Sequence, residues 1–211
     1  MDGQTSKIQD QTGEVHTYAS NLLYKMFLTK GARYQAARRH QRRSVASIWS
    51  VIALSMYVFT TSVVIALYDL NSYGDFQQKL TIANVVMSAF IIAFSVLEHG
   101  KKHDLKSDAF LRCAQGIQEL RDRLELEVFE GVDVDTVRRY VEDYNEIVHD
   151  FADNHSETDY RTFRINIGKH SGQFLYISLQ SIKYWVDCWL MMLAAMVVPP
   201  LAIGALFFVS K

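Results

Sequence analysis

The sequence predicts an all-α membrane protein: an N-terminal transmembrane helical hairpin, a cytoplasmic helical hairpin and a kinked C-terminal third span. Three observations predict it. Two apolar runs, 44–68 and 79–97, are separated only by the short polar stretch 69–78. The segment between the second run and residue 170 is highly charged, yet carries apolar residues at three- and four-residue steps. A third apolar run, 186–209, follows near the end of the chain. With 49% hydrophobic residues and a net charge of -1, the 211-residue chain resembles an ordinary globular domain on average, but a globular domain would spread its apolar residues more evenly.

Four regions follow from these patterns: an N-terminal tail and basic helix at 1–43, the transmembrane hairpin at 44–97, a cytoplasmic helical domain at 98–170, and an interfacial segment with a C-terminal transmembrane helix at 171–211. From residue 25 to 43 the charged residues are Lys25, Lys30, Arg33, Arg38, Arg39, Arg42 and Arg43, with no carboxylate among them. Leu22, Leu23, Met26, Phe27, Tyr34 and Ala37 lie at helical spacing beside these cations. Two readings stand level: an amphipathic helix on anionic lipid, or a straight extension of the first span. On the first, Lys30, Arg33, Arg38, Arg39, Arg42 and Arg43 meet the membrane surface. A nucleic-acid surface is disfavoured, because the charges sit within a few turns of a span and lack interleaved aromatics beyond Tyr34.

Each hairpin run supplies about 20 residues of helix, the length a hydrocarbon core requires, and so short a connection makes the two antiparallel. Cations flank both outer ends, with Lys101, Lys102 and Lys106 after the second run, whereas the turn carries Asp69 and Asp75 with only Lys79 at its edge. Positive charge marks the cytoplasmic side, so both ends of the hairpin are expected there. No apolar signal segment precedes Leu22, and the first span is expected to direct insertion.

Residues 98–169 hold 17 Asp and Glu against 11 Lys and Arg, a net charge of -6. Phe110, Ala114, Ile117, Leu120, Leu124 and Val128 mark one amphipathic helix, and Val137, Val141, Tyr144, Val148 and Phe151 a second, joined through Gly131. Asp133 is positioned to cap the second helix. A shorter helix is expected over 156–167, with Ser156 as its cap.

The last run contains Asp187 near its start and Pro199-Pro200 within it. Proline removes a backbone donor, which neighbouring helices can compensate in a membrane; a kinked span is favoured over a re-entrant segment, and would leave Lys211 outside the cytoplasm. Lys183 and Asp187, four apart, share a helix face. With Pro199 and Pro200 they are candidates for a gate or an anchor, anchoring being the simpler role.

Thr81, Asn84, Ser88 and Ser95 form a stripe along the second span, and the first contributes Ser47, Ser50, Ser55, Thr60, Thr61 and Ser62. In hydrocarbon such residues most often let helices approach and share hydrogen bonds. The functional alternative is a polar path, which one hairpin cannot enclose and which therefore implies a homo-oligomer. Thr81, Asn84, Ser88, Ser95, Ser55 and Ser62 are the candidates for pore lining or helix contact, Asn84 first among them because it is the most polar group in either span.

Catalytic and metal readings do poorly. Cys113 and Cys188 fall in different compartments on any spanning topology, so no disulfide is expected. Glu146 and His149 have the spacing of a di-iron ligand pair but no second such pair. His99 and His103 are four apart, but the lysines between them favour a solvated or headgroup-facing role. No Gly-rich phosphate loop or nucleophile elbow occurs. No enzyme activity, cofactor or metal is expected.

The lead-in Lys30-Gly-Ala-Arg-Tyr-Gln-Ala-Ala-Arg-Arg39, the two-span hairpin, the charged helix that follows and the 144–160 stretch with Asp153-Asn-His155 and Asp159-Tyr160 resemble the SLATT domain over residues 20–170. The resemblance implies a two-span membrane effector of bacterial anti-phage defence. Once triggered, such an effector oligomerises and permeabilises the inner membrane, causing growth arrest or death. It also implies a sensor encoded nearby, a nucleotide-second-messenger synthase or a reverse transcriptase, with no direct nucleic-acid binding. A non-permeating membrane anchor that recruits a cytoplasmic partner is the alternative. Asn154, His155, Asp159 and Tyr160 match the stretch without an assigned chemistry; capping and packing are their expected roles. The C-terminal apolar run departs from the two-span pattern.

Overall fold

A computed structural model describes residues 2–67, 75–151, 156–168 and 174–209. Six helices follow in order: α1 (Asp2–Leu67), α2 (Phe76–Gly100), α3 (His103–Glu130), α4 (Val134–Asp150), α5 (Glu157–Asn166) and α6 (Phe174–Val209). Among the described residues there is no strand, so the all-α architecture is as expected. The basic lead-in continues into the first span as one 66-residue helix, and no proline interrupts it. Asn154, His155 and Lys211 lie outside the described residues, as do the side chains of Asp187 and Cys188.

The chain divides into two compact units, residues 1–39 with 105–181, and residues 40–104 with 182–211. The core of the first joins Ala19, Leu22 and Met26 of α1 to Cys113, Ile117, Leu120 and Leu124 of α3 and to Val137 and Tyr144 of α4. The three- and four-residue steps place these side chains on one face of each helix. A second cluster packs Ala36 and Ala37 of α1 against Phe110, and Ser107 Oγ donates to the Ala37 carbonyl at 3.0 Å. Gly131, with φ +106°, makes the turn from α3 to α4, a conformation that favours glycine. Asp133 then caps α4 by accepting from Thr136 N at 2.8 Å.

Helix α5 begins with a capping box in which Ser156 accepts from Asp159 N while the Asp159 carboxylate accepts from Ser156 N. Its Phe163 ring lies against α1 at Gly31, where an added Cβ would stand 2.0 Å from Phe163 Cζ. The same ring meets Phe27 with centroids 5.4 Å apart. A glycine at 31 is thus what lets an aromatic ring reach the α1 backbone.

In the second unit, Ala46, Ser50 and Leu54 form the buried stripe of α1, with Phe76, Leu80 and Glu98 of α2 and Ala195 of α6 also buried. Most other apolar side chains here face outward, including Ile48, Trp49, Ile52, Met56 and Phe59 of α1 and Val85, Val86, Phe90, Ile92 and Val96 of α2. α1 and α2 each contain a window long and apolar enough to cross a membrane, and only 11% and 6% of these windows is buried inside the protein. Core helices of a soluble protein would be mostly covered. Helix α6 runs unbroken through Pro199 and Pro200.

Candidate functional site

The polar groups of the hairpin converge on Asn84. Thr61 Oγ1 donates to Asn84 Oδ1 at 2.7 Å, and Asn84 Nδ2 donates to Ser62 Oγ at 2.7 Å. Both ends of the amide are therefore used between α2 and α1, which satisfies a group that is costly to leave unpaired in an apolar medium. The hydroxyls also turn back onto their own helices, Thr61 included, whose Oγ1 lies 2.8 Å from the Tyr57 carbonyl. Thr81 donates to the Gln77 carbonyl, Ser88 to that of Asn84, Ser95 to that of Ile91, and Ser62 to that of Val58, all at 2.7–2.9 Å. Thr81, Ser55 and Ser62 are exposed, whereas Asn84, Ser88 and Ser95 are half-buried. The structure thus brings Asn84 and Ser62 together, while Thr81, Ser88 and Ser95 bond within α2. Thr61, which the spacing left among a looser set of first-span hydroxyls, is the second anchor of the amide.

A third helix joins this unit through the prolines. Pro200 has no N–H and cannot donate to the carbonyl four residues back, that of Met196. Tyr57 Oη of α1 donates to this carbonyl at 2.9 Å. The signal was present in the sequence: a proline inside an apolar run names the carbonyl that needs a donor, and Tyr57 is a hydroxyl-bearing ring within the first run. Lys183 is exposed, Pro199 is buried and Pro200 is exposed.

At the other end of the hairpin, His40 Nδ1 lies 3.1 Å from His103 Nδ1, with ring centroids 5.3 Å apart. His103 follows Lys102, whose φ of +50° places a non-glycine residue in the left-handed region. Its near neighbour in sequence, His99, is exposed and does not share this contact. Glu98 is buried and pairs with Lys101.

The six basic residues of the lead-in divide. Arg33 is 2% exposed, its guanidinium 5.5 Å from the Phe110 ring centroid. Arg39 makes a two-pronged pair with Asp159, Nε to Oδ1 and Nη2 to Oδ2, each 2.9 Å. Lys30 donates to Gln118 Oε1; burial and the nearby Arg121 cation push its pKa down, against the pull of Asp122 and Glu125. These three membrane-surface candidates are engaged with partners within the first unit. Positive charge reads as surface in a sequence because the carboxylate or ring that meets it lies far along the chain. Arg38 and Arg42 are exposed and Arg43 is half-exposed.

Around Arg33, Thr29 Oγ1 and Tyr144 Oη share a hydrogen bond of 2.8 Å, and Lys25 Nζ sits 4.9 Å from the Tyr144 ring centroid. Burial pushes the Tyr144 hydroxyl up, opposed by the Thr29 bond and Arg33. Burial also raises the Cys113 thiol, and Arg33 lowers it by less. These groups hold a bundle together. Among the described residues, no group of three or more His, Cys, Asp or Glu is placed to hold a metal ion.

With two long apolar helices joined as a hairpin and a charged helical unit of this composition, the family profile of the SMODS and SLOG-associating 2TM effector domain family 5 matches residues 15–205. The chain belongs to this SLATT family. The match takes in most of α6, so the C-terminal apolar run lies within the family's extent rather than outside it. No curated protein and no solved structure matches the chain. Membership makes this SLATT protein a membrane effector of conflict systems, and its two long apolar helices fit the two-span description.

Proposed function

We propose that this SLATT protein is a multi-pass effector of the bacterial inner membrane. When triggered, it oligomerises and permeabilises that membrane as part of an anti-phage response, causing growth arrest or cell death. The observation that carries the reading is the Asn84 amide, whose two ends are occupied by Thr61 and Ser62 of the same chain. A closed hairpin keeps its polar groups paired with itself; an assembled ring would face them inward to a shared path, since no single hairpin encloses water. The trigger must bind one of these states better than the other, and its source is a sensor encoded nearby, of the nucleotide-second-messenger synthase or reverse-transcriptase kind.

Three spans suit this reading better than two. Tyr57 lies well inside the first apolar run, and its bond to Met196 supports placing α6 in the same layer as α1 and α2. The positive charges flanking the hairpin support a cytoplasmic first unit, leaving Arg38, Arg42 and Arg43 to meet headgroups where α1 approaches the bilayer.

The test is dye entry and membrane potential after induced expression with the neighbouring genes. Permeability should rise before growth stops, and Asn84→Leu with Ser88→Leu should abolish both effects. Unchanged permeability during a triggered arrest overturns the pore mechanism. That outcome would favour the second reading, a non-permeating anchor that recruits a cytoplasmic partner. This alternative draws on the hydroxyls of Thr81, Ser88 and Ser95, each of which bonds within its own helix.

A further inference from the structure

We propose that His40 and His103 form a binding site for a divalent transition-metal ion of the Zn²⁺ class, closing the base of the hairpin. The two Nδ1 atoms stand 3.1 Å apart. Two imidazole nitrogens on one Zn²⁺ ion, each at about 2.0–2.1 Å and at a near-tetrahedral angle, stand about 3.3 Å apart. The separation already matches, and each ring has only to turn so that its lone pair points off the line between the two nitrogens toward a shared ion. In the hydrogen-bonded pair one Nδ1 carries the hydrogen and the other accepts it; with both rings in the neutral Nε2–H tautomer, both Nδ1 lone pairs face the ion. The change of tautomer moves a hydrogen between nitrogens of one ring and alters no charge.

The surroundings hold the pair in register. His40 is 8% exposed, on the α1 segment that leads into the first span. His103 opens α3 directly after Lys102 at φ +50°, a conformation that costs a non-glycine residue energy and persists where neighbouring structure determines it. No group of three or more His, Cys, Asp or Glu occurs among the described residues, so the proposed protein ligands are the two imidazoles, with the other positions open to solvent. Two imidazoles with water favour Zn²⁺, Ni²⁺ and Cu²⁺ over Mg²⁺ and Ca²⁺, which prefer oxygen. Occupancy would join the segment leading into the first span to the segment following the second through two coordinate bonds in place of the Nδ1–Nδ1 hydrogen bond.

The experiment uses the full chain in detergent after chelator treatment, titrated with ZnCl₂ in competition with a chromophoric chelator, and in parallel with MgCl₂. The expected result is one Zn²⁺ per chain, a melting temperature that rises with free Zn²⁺, no response to Mg²⁺, and at least tenfold weaker binding in His40→Ala and in His103→Ala. His99→Ala should bind as the parent does. X-ray absorption on the Zn²⁺-loaded parent should show two imidazole nitrogens in the first coordination shell, a readout that needs no variant to fold. Zn²⁺ binding unchanged in the His40→Ala/His103→Ala double variant, or fewer than two imidazoles at the metal, overturns the proposal. Neither readout depends on membrane permeability, so the site and the pore mechanism stand or fall separately.

Discussion

The Tyr57 hydroxyl donates to the Met196 carbonyl, the acceptor that Pro200 leaves without its helical donor. A double proline therefore costs α6 less than its sequence suggests, because a side chain of α1 supplies one of the missing hydrogen bonds. Irregular backbone in an apolar setting is tolerated where a neighbour satisfies it. The bond also ties α6 to α1 at a defined position along both helices.

Tyr57→Phe should destabilise the second unit by about 1–2 kcal/mol, the cost of leaving a carbonyl unpaired in an apolar medium. Pro200→Ala restores the N–H that Met196 lacks. In the Tyr57→Phe/Pro200→Ala pair the loss should shrink relative to Tyr57→Phe alone, a non-additivity expected of residues that share one acceptor. Thermal unfolding of the four proteins in one detergent measures it; strict additivity would show that the hydroxyl does not serve this carbonyl.

Thr61→Val removes a hydroxyl while keeping nearly the same shape. It should cost roughly 0.5–2 kcal/mol, the range for hydrogen bonds between membrane helices. Asn84→Leu should cost more than Thr61→Val, because it removes the bonds to both Thr61 and Ser62. The double substitution should add little to Asn84→Leu alone. Unfolding of the hairpin in bicelles, followed by crosslinking between α1 and α2, reports the comparison.

The Arg39–Asp159 pair anchors α5 to α1, with the Asp159 carboxylate fully buried and also accepting from Ser156 N and Oγ. Arg39→Ala should cost about 3–5 kcal/mol, since it leaves a buried carboxylate without its cation. Arg39→Lys should rescue little, because an ammonium cannot reproduce the two-pronged geometry. Hydrogen exchange of α5 amides should accelerate selectively, while the α3–α4 core stays protected. Gly31→Val should give the same pattern by pushing the Phe163 ring away.

Asp133 caps α4 on the surface, and its bonds to the Thr136 side chain and backbone, the largest causes, hold its carboxyl below the ordinary 3.8. A depressed native pKa adds stability above the unfolded value, and this is lost as the pH falls through the native one. Protection of the first turn of α4 should therefore be constant above about pH 5 and fall below pH 4. Asp133→Asn, which caps without ionising, should flatten that profile.

Cys113 is buried with its thiol raised by burial. In a Cys188→Ser background, maleimide should label it slowly in the folded protein and fast in denaturant, since the thiolate is the reactive form. Rapid labelling of the native protein would mean the α1–α3–α4 core opens readily.

Much of the fold was legible because burial repeats with the helix. Phe110 to Leu124 and Val137 to Tyr144 mark α3 and α4 by spacing alone, and Asp133 and Ser156 announce the caps. The site was harder to read, because its contacts join residues remote in sequence. Asn84 stood out as an amide in an apolar run, but nothing local singled out Thr61 over Thr60 or Ser55. Arg33 and Arg39 looked like lipid-facing cations because Phe110 and Asp159 are 77 and 120 residues away. The lysines between His99 and His103 suggest a solvated role for both, yet His103, just past the break at Lys102, meets His40 from 63 residues earlier.

The outward apolar faces of α1 and α2 bear on how this protein can be measured at all. With 11% and 6% of their most apolar windows covered by the chain itself, the greater part of the second unit's favourable burial is supplied by acyl chains. Its folding free energy is then a joint property of polypeptide and lipid, with no lipid-free reference state to define it. A melting temperature in short-chain detergent and one in native lipid describe two different equilibria, and only differences between variants carry from one to the other.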